Sequence, residues 1–547
     1  MTESVTLADK KILIVDDQKP FQIMLKGLLT QLGARDVTAV ASGEAGIAAH
    51  HRHGYDILLV DYNLGQGKNG RQVLEEMRVR DLLRPNGLFF IITGESTRPM
   101  VLSAIELQPD DYLMKPFSIG VLRTRLKRSF RKRATLARVY QTLYDKEYPE
   151  CIQACLQHIQ DEGRYRNYCR QLLAELYLKL GKLDKAEQVV IALLDEQRFS
   201  WGVLALAKIK YAQKAYPAAI DLCHEVIRST PNAVEAYDVL ARALQGDEQP
   251  VKALEAGRKA VTLAPFSIAR QLYMSELARD GEQFELAKQA MFNVLDISRK
   301  SVYRNPKHLC NYIRSILDAA EHSDSRLEIN KYQQEALLAL QRAKNDESLL
   351  HSNLKYHQLE NAVMARIEAY NGRFRQAQEH LNQVASEFLQ HGKDIQRDIA
   401  PDIAVALLDI GEFERAHALF KRQVDQRRLD TYNRKLLESR VARKETTHQS
   451  YLKFNKAGIA YYTDNDFGAA IAQFEKALEL APMNSGVALN YIQAALKVLG
   501  HSDSPLNYLV DGCKRCIRVL EGIQLPSNHQ TRFNSLQTEF DQVLANQ

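Results

Sequence analysis

The stretch Asp56-Ile57-Leu58-Leu59-Val60-Asp61-Tyr62-Asn63 decides how the N-terminal part of this chain folds. A short run of four apolar residues is typical of a strand buried on both faces, as in a parallel sheet covered by helices. Asp61 directly follows the run, so we expect its carboxylate at the carboxyl edge of the sheet. Ligands of open α/β sheets bind at that edge.

Three more apolar runs end in side chains that can do chemistry. Because the carboxyl ends of parallel strands meet at one edge, we expect three carboxylates, a hydroxyl and an ammonium group on a single rim. The run at 11–15 ends in Asp16-Asp17, the run at 88–92 ends in Thr93, and the run at 111–114 ends in Lys115-Pro116.

Strand and helix patterns alternate over residues 1–130. Each apolar run precedes an amphipathic stretch, which is typical of βα units with right-handed crossovers. We therefore predict one doubly wound α/β domain. Its strands lie near 11–15, 37–40, 56–60, 87–92 and 111–114, and its helices near 20–32, 43–52, 69–79, 98–107 and 117–131.

The composition limits the classes of protein to consider. At 547 residues the chain is too long for one core, so several domains or a repeat array are expected. A net charge of +6 does not by itself imply a nucleic-acid or anionic-membrane partner. Residues 1–10 lack an apolar signal core and no apolar span could cross a bilayer, so we expect a cytoplasmic protein without membrane insertion.

The seven cysteines form no disulfide framework and suit a reducing compartment. Cys513 and Cys516 make a lone C-x-x-C, and Cys151 and Cys155 are one helical turn apart. We interpret both pairs as packed thiols, and not as metal or redox sites.

The strand-end residues resemble the receiver domain of two-component response regulators, which is CheY-like, over the whole of 1–130. The resemblance implies a five-stranded parallel sheet in the flavodoxin-like order 2-1-3-4-5, which is taken from the family and not worked out from the residues. It also implies phosphorylation by a sensor histidine kinase or a phosphotransfer protein. The implied roles are phosphoacceptor for Asp61, acidic pocket for Asp16 and Asp17, switch hydroxyl for Thr93, switch aromatic for Tyr112, and cation for Lys115, followed by a cis bond to Pro116.

The three carboxylates predict a metal ion. Acids within a few ångströms of one another repel, and they stay ionised together only around a divalent cation. Oxygen ligands with several retained waters favour Mg²⁺ as the cofactor. By the resemblance, Asp17 and Asp61 coordinate it directly with the main-chain carbonyl of Asn63, and Asp16 acts mainly through water. The metal and Lys115 together would offset charge on the transferring phosphoryl group.

Phosphorylation is expected to change packing on a distant face. With phosphate on Asp61, Thr93 can turn to bond a phosphate oxygen, and Tyr112 can fill the space that Thr93 leaves. The affected surface runs from helix 98–107 to helix 117–131, and by resemblance it is also a candidate homodimer face.

Two loops depart from the family pattern. The loop 61–70 lacks the usual proline four residues after the acceptor and is one residue longer than usual. Gln108-Pro109 replaces the small residues that usually come before the fifth strand. We expect these changes to affect loop shape and phosphate lifetime, because every catalytic residue type is present.

Residues 123–133 carry seven positive charges and no acid. Such a block can mark a nucleic-acid-binding arm. However, Leu126 and Phe130 continue an apolar helical stripe, so a solvated face of the last receiver helix is the simpler interpretation. We do not expect a nucleic-acid partner, because neither a helix-turn-helix nor an aromatic stacking platform accompanies the charge.

The chain after residue 131 is self-similar and resembles tetratricopeptide repeats (TPR). A small residue recurs twelve positions before an alanine, as in Ala207/Ala219 and Gly458/Ala470. Copies between 207 and 275 are 34 residues apart, the period of that family. Each hairpin leaves an apolar face that only its neighbour can bury, so we expect an all-α solenoid over 131–547. The repeats are expected near 132–165, 167–199, 200–233, 234–267, 268–301, 358–391, 397–430, 451–484 and 485–520.

Some segments leave alternatives open. Residues 302–350 and 424–450 are off-pattern, and are either diverged repeats or breaks, with a division of the array expected near 302–350. Residues 527–545 are expected to form a capping helix. By the family's convention the first helix of each repeat lines a groove for a protein ligand. The candidate groove residues are Lys208, Tyr211, Asp238, Arg242, Asn455 and Tyr462.

These features predict a response regulator phosphorylated on Asp61 whose output is phosphorylation-controlled protein–protein binding by the repeats. An alternative is a phosphoryl sink or competitor for a sensor kinase, docked by its repeats. Nucleic-acid binding through 123–133 is a weaker third hypothesis. We do not expect an enzyme beyond the receiver's own phosphoryl transfer and dephosphorylation, because the repeats take up nearly all of the remaining chain.

Overall fold

A computed structural model describes residues 7–94, 97–346, 349, 352–390, 396–500, 506–521, 525 and 527–546. The chain divides into two compact units, Met1–Arg304 and Asn305–Gln547.

A five-stranded parallel sheet forms the centre of the N-terminal domain, in the order β2-β1-β3-β4-β5. This is the predicted flavodoxin-like order. Each strand is within one residue of its predicted position. The strands are β1 (Lys11–Val15), β2 (Asp36–Val40), β3 (Ile57–Asp61), β4 (Leu88–Thr93) and β5 (Asp111–Met114).

Helices cover both faces of the sheet, which explains the all-apolar strands. Ile12 and Ile14 join an apolar core on one face, whereas Leu13 and Val15 join the core on the other. Such double burial is what parallel sheets require. The helices are α1 (Lys19–Gln31), α2 (Gly43–His53), α3 (Gly70–Val79), α4 (Arg98–Ile105) and α5 (Ile119–Thr135).

The basic segment 123–133 lies within α5, where several of its charges face solvent and several also make ion pairs. Arg125 and Arg128 both pair with Asp111 at 3.1 Å. Arg133 pairs with Asp110 at 2.7 Å, and Lys132 lies over an aromatic ring of the first repeats. Four of the seven charges therefore serve internal contacts.

Helical hairpins follow the receiver within the first unit. α5 continues to Thr135, so the predicted boundary at 130/131 falls inside a helix. The helices are α6 (Ala137–Tyr144), α7 (Tyr148–Gln160), α8 (Arg166–Lys179), α9 (Leu183–Glu196), α10 (Ser200–Ala212), α11 (Tyr216–Ser229), α12 (Val234–Gly246), α13 (Pro250–Leu263), α14 (Ile268–Asp280) and α15 (Phe284–Ser298).

The turns inside eight of the described hairpins share one backbone feature. A residue with positive φ comes shortly before the second helix and ends the first, in a conformation that costs a side-chain-bearing residue energy. These residues are Lys146, Gly181, Lys214, Glu248 and Glu282 in the first unit and Gly372, Gly411 and Asn465 in the second.

The described part of the second unit is also helical, consistent with a TPR solenoid. Residues 306–343 form a helical pair, and 431–450 belong to one long helix that continues into the repeat predicted at 451–484. The helices are α16 (Pro306–Glu321), α17 (Arg326–Ala343), α18 (Tyr356–Tyr370), α19 (Phe374–Gln390), α20 (Ala400–Ile410), α21 (Phe413–Asp425), α22 (Thr431–Thr463), α23 (Phe467–Leu480), α24 (Ser485–Leu499), α25 (Asn507–Glu521) and α26 (Ser527–Asn546).

Candidate functional site

Three carboxylates meet at the carboxyl edge of the sheet. One oxygen from each of Asp16, Asp17 and Asp61 lies within 4.8 Å of the others. Asp16 and Asp61 are buried, whereas Asp17 is exposed. Asp16 and Asp17 directly follow β1 and Asp61 ends β3, and these two strands are neighbours in the sheet. The strand order therefore brings together acids that are 44 residues apart in the sequence.

Lys115 supplies the cation of the cluster. Its Nζ donates to Asp16 Oδ2 at 2.7 Å and to Asp61 Oδ2 at 3.1 Å. It also lies 3.8 Å from the centroid of the Phe21 ring, which limits its freedom. The peptide bond to Pro116 is cis, as predicted.

Local backbone contacts fix the two loops that carry the acids. Asp16 Oδ1 accepts a hydrogen bond from the Gln18 N–H at 2.8 Å, which orients the carboxylate. The loop after β3 comes back to the end of that strand at Gly70, whose N–H donates to the Tyr62 carbonyl at 2.8 Å. A Cβ at Gly70 would lie 2.4 Å from the Asp61 carbonyl oxygen, so this close return requires glycine.

The electrostatics of the cluster favour a further cation. Burial raises the pKa of Asp61, Lys115 lowers it, and the charges of Asp16 and Asp17 raise it again. The charges of Asp16 and Asp17 thus oppose ionisation of Asp61, and one ammonium group cannot offset three negative charges. Oxygen ligands on a net negative rim fit Mg²⁺. Asn63 is exposed at the start of the following loop, and its carbonyl stays a predicted ligand.

Thr93 and Tyr112 lie beside the cluster on neighbouring strands. Thr93 ends β4 and is 1% exposed. Its carbonyl accepts a hydrogen bond from the Lys115 N–H at 2.7 Å, so the hydroxyl-bearing residue and the cation are held together. Tyr112 is half-buried and belongs to the apolar cluster that contains Ala104 and Met100 of α4. A route of packed residues thus leads from the acids to α4.

Most predicted groove residues link first helices of consecutive repeats. These contacts are internal, so the side chains are not simply solvated surface. Lys208 pairs with Glu235, Asp238 pairs with Arg270, Arg242 lies 4.4 Å from the centroid of the Tyr273 ring, Asn455 accepts from Asn490 at 3.1 Å, and Tyr462 accepts from Gln493 at 3.0 Å. Tyr211 instead has its ring 6.0 Å from that of Tyr216.

The fold and this cluster define the class of the N-terminal part, which is a response regulator receiver domain. The family description "Response regulator receiver domain" matches residues 12–127. The description "Tetratricopeptide repeat" matches residues 455–498. The two predicted resemblances are thereby confirmed over these ranges.

Similar proteins match the N-terminal quarter of the chain. A probable chemotaxis protein CheY of Rhizobium etli is 29% identical over 127 residues, which are 23% of this chain and 97% of that protein. The virulence sensor protein BvgS of Bordetella bronchiseptica is 32% identical over 129 residues, 23% of this chain and 10% of that protein. A CheY-like receiver structure from Methanospirillum hungatei is 25% identical, with a TM-score of 0.21, and covers 23% of this chain and 96% of that one. The receiver-family match and the sequence similarity to the CheY protein support a role in two-component signal transduction.

Two charged clusters were not predicted from the sequence. In the first unit, Arg270 of α14 pairs with Glu106 at the end of α4 and with Asp238 of α12. In the second unit, Arg314 and Arg366 are almost completely buried and both bind Asp402. Both clusters join residues that are far apart in the sequence, where each arginine looks like a solvated charge on a helix.

Two other expectations concern cysteines and membranes. All seven cysteines are buried free thiols, as predicted for packed residues. Within the described ranges, every helix is too short or too polar to traverse a lipid bilayer.

Proposed function

We propose that this protein is a cytoplasmic response regulator that accepts a phosphoryl group on Asp61 and uses it to control protein binding by its helical repeats. The observation that carries the proposal is the cluster of Asp16, Asp17 and Asp61, in which Lys115 pairs with both Asp16 and Asp61. The donor is a sensor histidine kinase or a phosphotransfer protein.

In the proposed reaction, an oxygen of Asp61 attacks the phosphorus of a phosphohistidine. A P–O bond forms, the P–N bond breaks, and the leaving imidazole nitrogen keeps the electron pair and takes up a proton. Burial makes the Asp61 carboxylate a poorly solvated, more reactive nucleophile. Lys115 stands 3.1 Å from it and stabilises charge on the transferring oxygens.

The acids also suit a metal ion. Asp16, Asp17, Asp61 and the Asn63 carbonyl would hold Mg²⁺, which supplies charge neutralisation and in-line alignment of the phosphoryl group. The Thr93 hydroxyl would then donate a hydrogen bond to a phosphate oxygen, and Tyr112 would repack against α4. Because α4 contacts α13 of the repeats, a change in the packing of α4 on phosphorylation can be passed on to the repeats.

Phosphoryl labelling and partner capture test the proposal together. A small phosphoryl donor with Mg²⁺ should produce an acyl phosphate on the full chain, detected by intact mass and by hydroxylamine sensitivity. Asp61→Asn should abolish the label, whereas the exposed receiver substitution Asp36→Asn should keep it. Label retained by Asp61→Asn would refute the assignment.

The output is tested separately, by capture of partners on the full chain with and without beryllofluoride, a phosphoryl mimic. Beryllofluoride should change the amount of a specific partner retained, and Asp61→Asn should remove that change. Rapid loss of phosphate with partner capture indifferent to it would support the phosphoryl-sink alternative and refute control of the repeats by phosphorylation.

A further inference from the structure

The first unit contains a surface of the repeats that is covered by the receiver itself. We call it the Arg270 surface, and it consists of Val234 and Asp238 of α12, Leu263 and Ala264 at the end of α13, and Arg270 of α14. The helix that covers it is α4, which contacts α13.

Arg270 is bound by carboxylates from both sides. Its Nε and Nη2 donate to the two oxygens of Asp238 at 2.9 and 2.7 Å. Its Nη1 and Nη2 donate to the two oxygens of Glu106, and Nη1 also donates to the Ala264 carbonyl at 2.7 Å. Arg270 is only 8% exposed as a result. Paired two-point contacts of this kind are the strong and directional form of a charged hydrogen bond.

An apolar contact accompanies the charged one. Leu102 packs, half-buried, with the cluster of Val234, Leu263 and Ala264. Leu102 and Glu106 are four residues apart, so they lie on the same side of a helix, one turn from each other. The Arg270 surface therefore holds a leucine and a carboxylate presented in helical spacing.

The surface does not depend on α4 for its own integrity. Without Glu106, Arg270 keeps both bonds to Asp238 and the bond to the Ala264 carbonyl, so no buried charge is left alone. A cavity of about 300 Å³ lies beside this contact, lined by Met100 of α4 and by Phe266 and Gln271 of the repeats. Packing between α4 and the repeats is thus incomplete, which leaves space for α4 to move.

We propose that the Arg270 surface is a docking site for a partner protein, through a helix that presents a leucine and, four residues later, a glutamate or aspartate. The receiver occupies the site with its own Leu102 and Glu106 when Asp61 carries no phosphate. The inference rests on the proposed function and names the chemistry of its output. Charge complementarity selects an acidic helix, because a basic one would face Arg270.

A helix-stabilised fluorescent peptide with the sequence of residues 98–108 is the probe, and anisotropy with the full-length chain is the measurement. Glu106→Lys should undock α4 and bind the peptide at least about tenfold more tightly than the wild type does, since the intramolecular competitor is gone. Asp195→Lys, an exposed substitution of equal charge change on α9, should behave as the wild type. Circular dichroism checks that each variant is folded.

Two further variants test the role of Arg270. In the Glu106→Lys background, Arg270→Met should weaken peptide binding at least about tenfold, and Arg270→Lys, which keeps the charge but loses the fork, should weaken it less. A peptide with glutamine in place of Glu106 should also bind at least about tenfold more weakly. Equal peptide binding by wild type and Glu106→Lys, or binding indifferent to Arg270, would overturn the inference.

Beryllofluoride separates this inference from the function on which it rests. If it makes the wild type bind the peptide, both stand. If Glu106→Lys binds the peptide but beryllofluoride has no effect on the wild type, the docking site stands and control by Asp61 fails. If Asp61 is phosphorylated and no variant binds the peptide, the docking site fails alone. Dimerisation of the beryllofluoride-loaded wild type that blocks the peptide would identify a second copy's α4 as the occupant and overturn the partner assignment.

Discussion

Replacing Arg314 by methionine should destabilise the unit 305–547 by about 3 kcal/mol or more. Arg314 is 1% exposed. It donates from Nη2 to Asp402 Oδ2 at 2.6 Å, from the same nitrogen to the Asp398 carbonyl at 2.7 Å, and from Nη1 to Asn311 at 2.6 Å and Asn433 at 2.8 Å. Methionine fills similar space but offers none of these donors.

The magnitude follows from what the substitution leaves behind. Asp402 is 2% exposed and would keep one bond, from Arg366 to Oδ1 at 3.0 Å, while its Oδ2 loses its arginine donors. Breaking a buried ion pair from one side costs about 3–5 kcal/mol, because a charge stays in the interior without its partner. The surviving Arg366 contact places the expected loss near the lower end of that range.

Urea unfolding followed by far-UV circular dichroism measures this loss. The urea midpoint should fall by roughly 1 M for the transition of this unit. Trp201, the only tryptophan, lies in the first unit, so its fluorescence reports on the other half of the chain. The matched control in the same unit is Arg375→Met, which breaks an ion pair whose glutamate is 53% exposed, with an expected cost below about 1 kcal/mol. Equal effects of the two substitutions would refute the reasoning.

Three other predictions concern the receiver and the repeats. His50 is buried, its Nδ1 accepts a hydrogen bond from a backbone N–H, and burial lowers its pKa, so the folded protein favours the neutral ring. The melting temperature should therefore fall as the pH drops below about 6.5. The fall should be smaller in His50→Gln and unchanged in the exposed control His51→Gln. Glu248→Gly should stabilise the fold by up to ~1 kcal/mol and raise its melting temperature, because the φ of Glu248 is 57° and glycine adopts this angle without strain. Glu255→Gly inside α13 should instead destabilise the fold by ~1 kcal/mol. Destabilisation by both substitutions would contradict this account. Gly70→Ala should slow phosphorylation by a small donor, because its Cβ would meet backbone at 2.4 Å, and an unchanged rate would show that the loop can yield.

The receiver could be predicted because its signals are local. Most of the strands are short apolar runs, and most functional residues stand where a run ends, so the pattern predicts a parallel α/β fold and the edge that holds the site. The strand order came from the resemblance to receiver domains. The helix ends were less accurate. α4 ends at Ile105 and α5 continues to Thr135, where the predictions were 107 and 131. No glycine or proline lies within three residues after either end, so the pattern alone could not place the ends.

The charged clusters could not be predicted, because they depend on pairs that are distant in sequence. Glu106 and Arg270 are 164 residues apart, and Arg314 and Asp402 are 88 apart. In a sequence, each of these residues is indistinguishable from a solvated charge on a helix. Only the curvature of the stacked hairpins decides which of them meet, and a period of 34 residues does not specify curvature.

The 33-residue helix α22 acts as a stiff rod inside its unit. Asn433 near its start belongs to the buried network around Arg314, and Gly458 near its end packs against Phe474 in the repeat 451–484. At 1.5 Å per residue the rod is about 50 Å long, so a tilt of about 5° at one end would displace the other by roughly 4 Å. Any rearrangement of the arginine network is therefore magnified mechanically at the far hairpin.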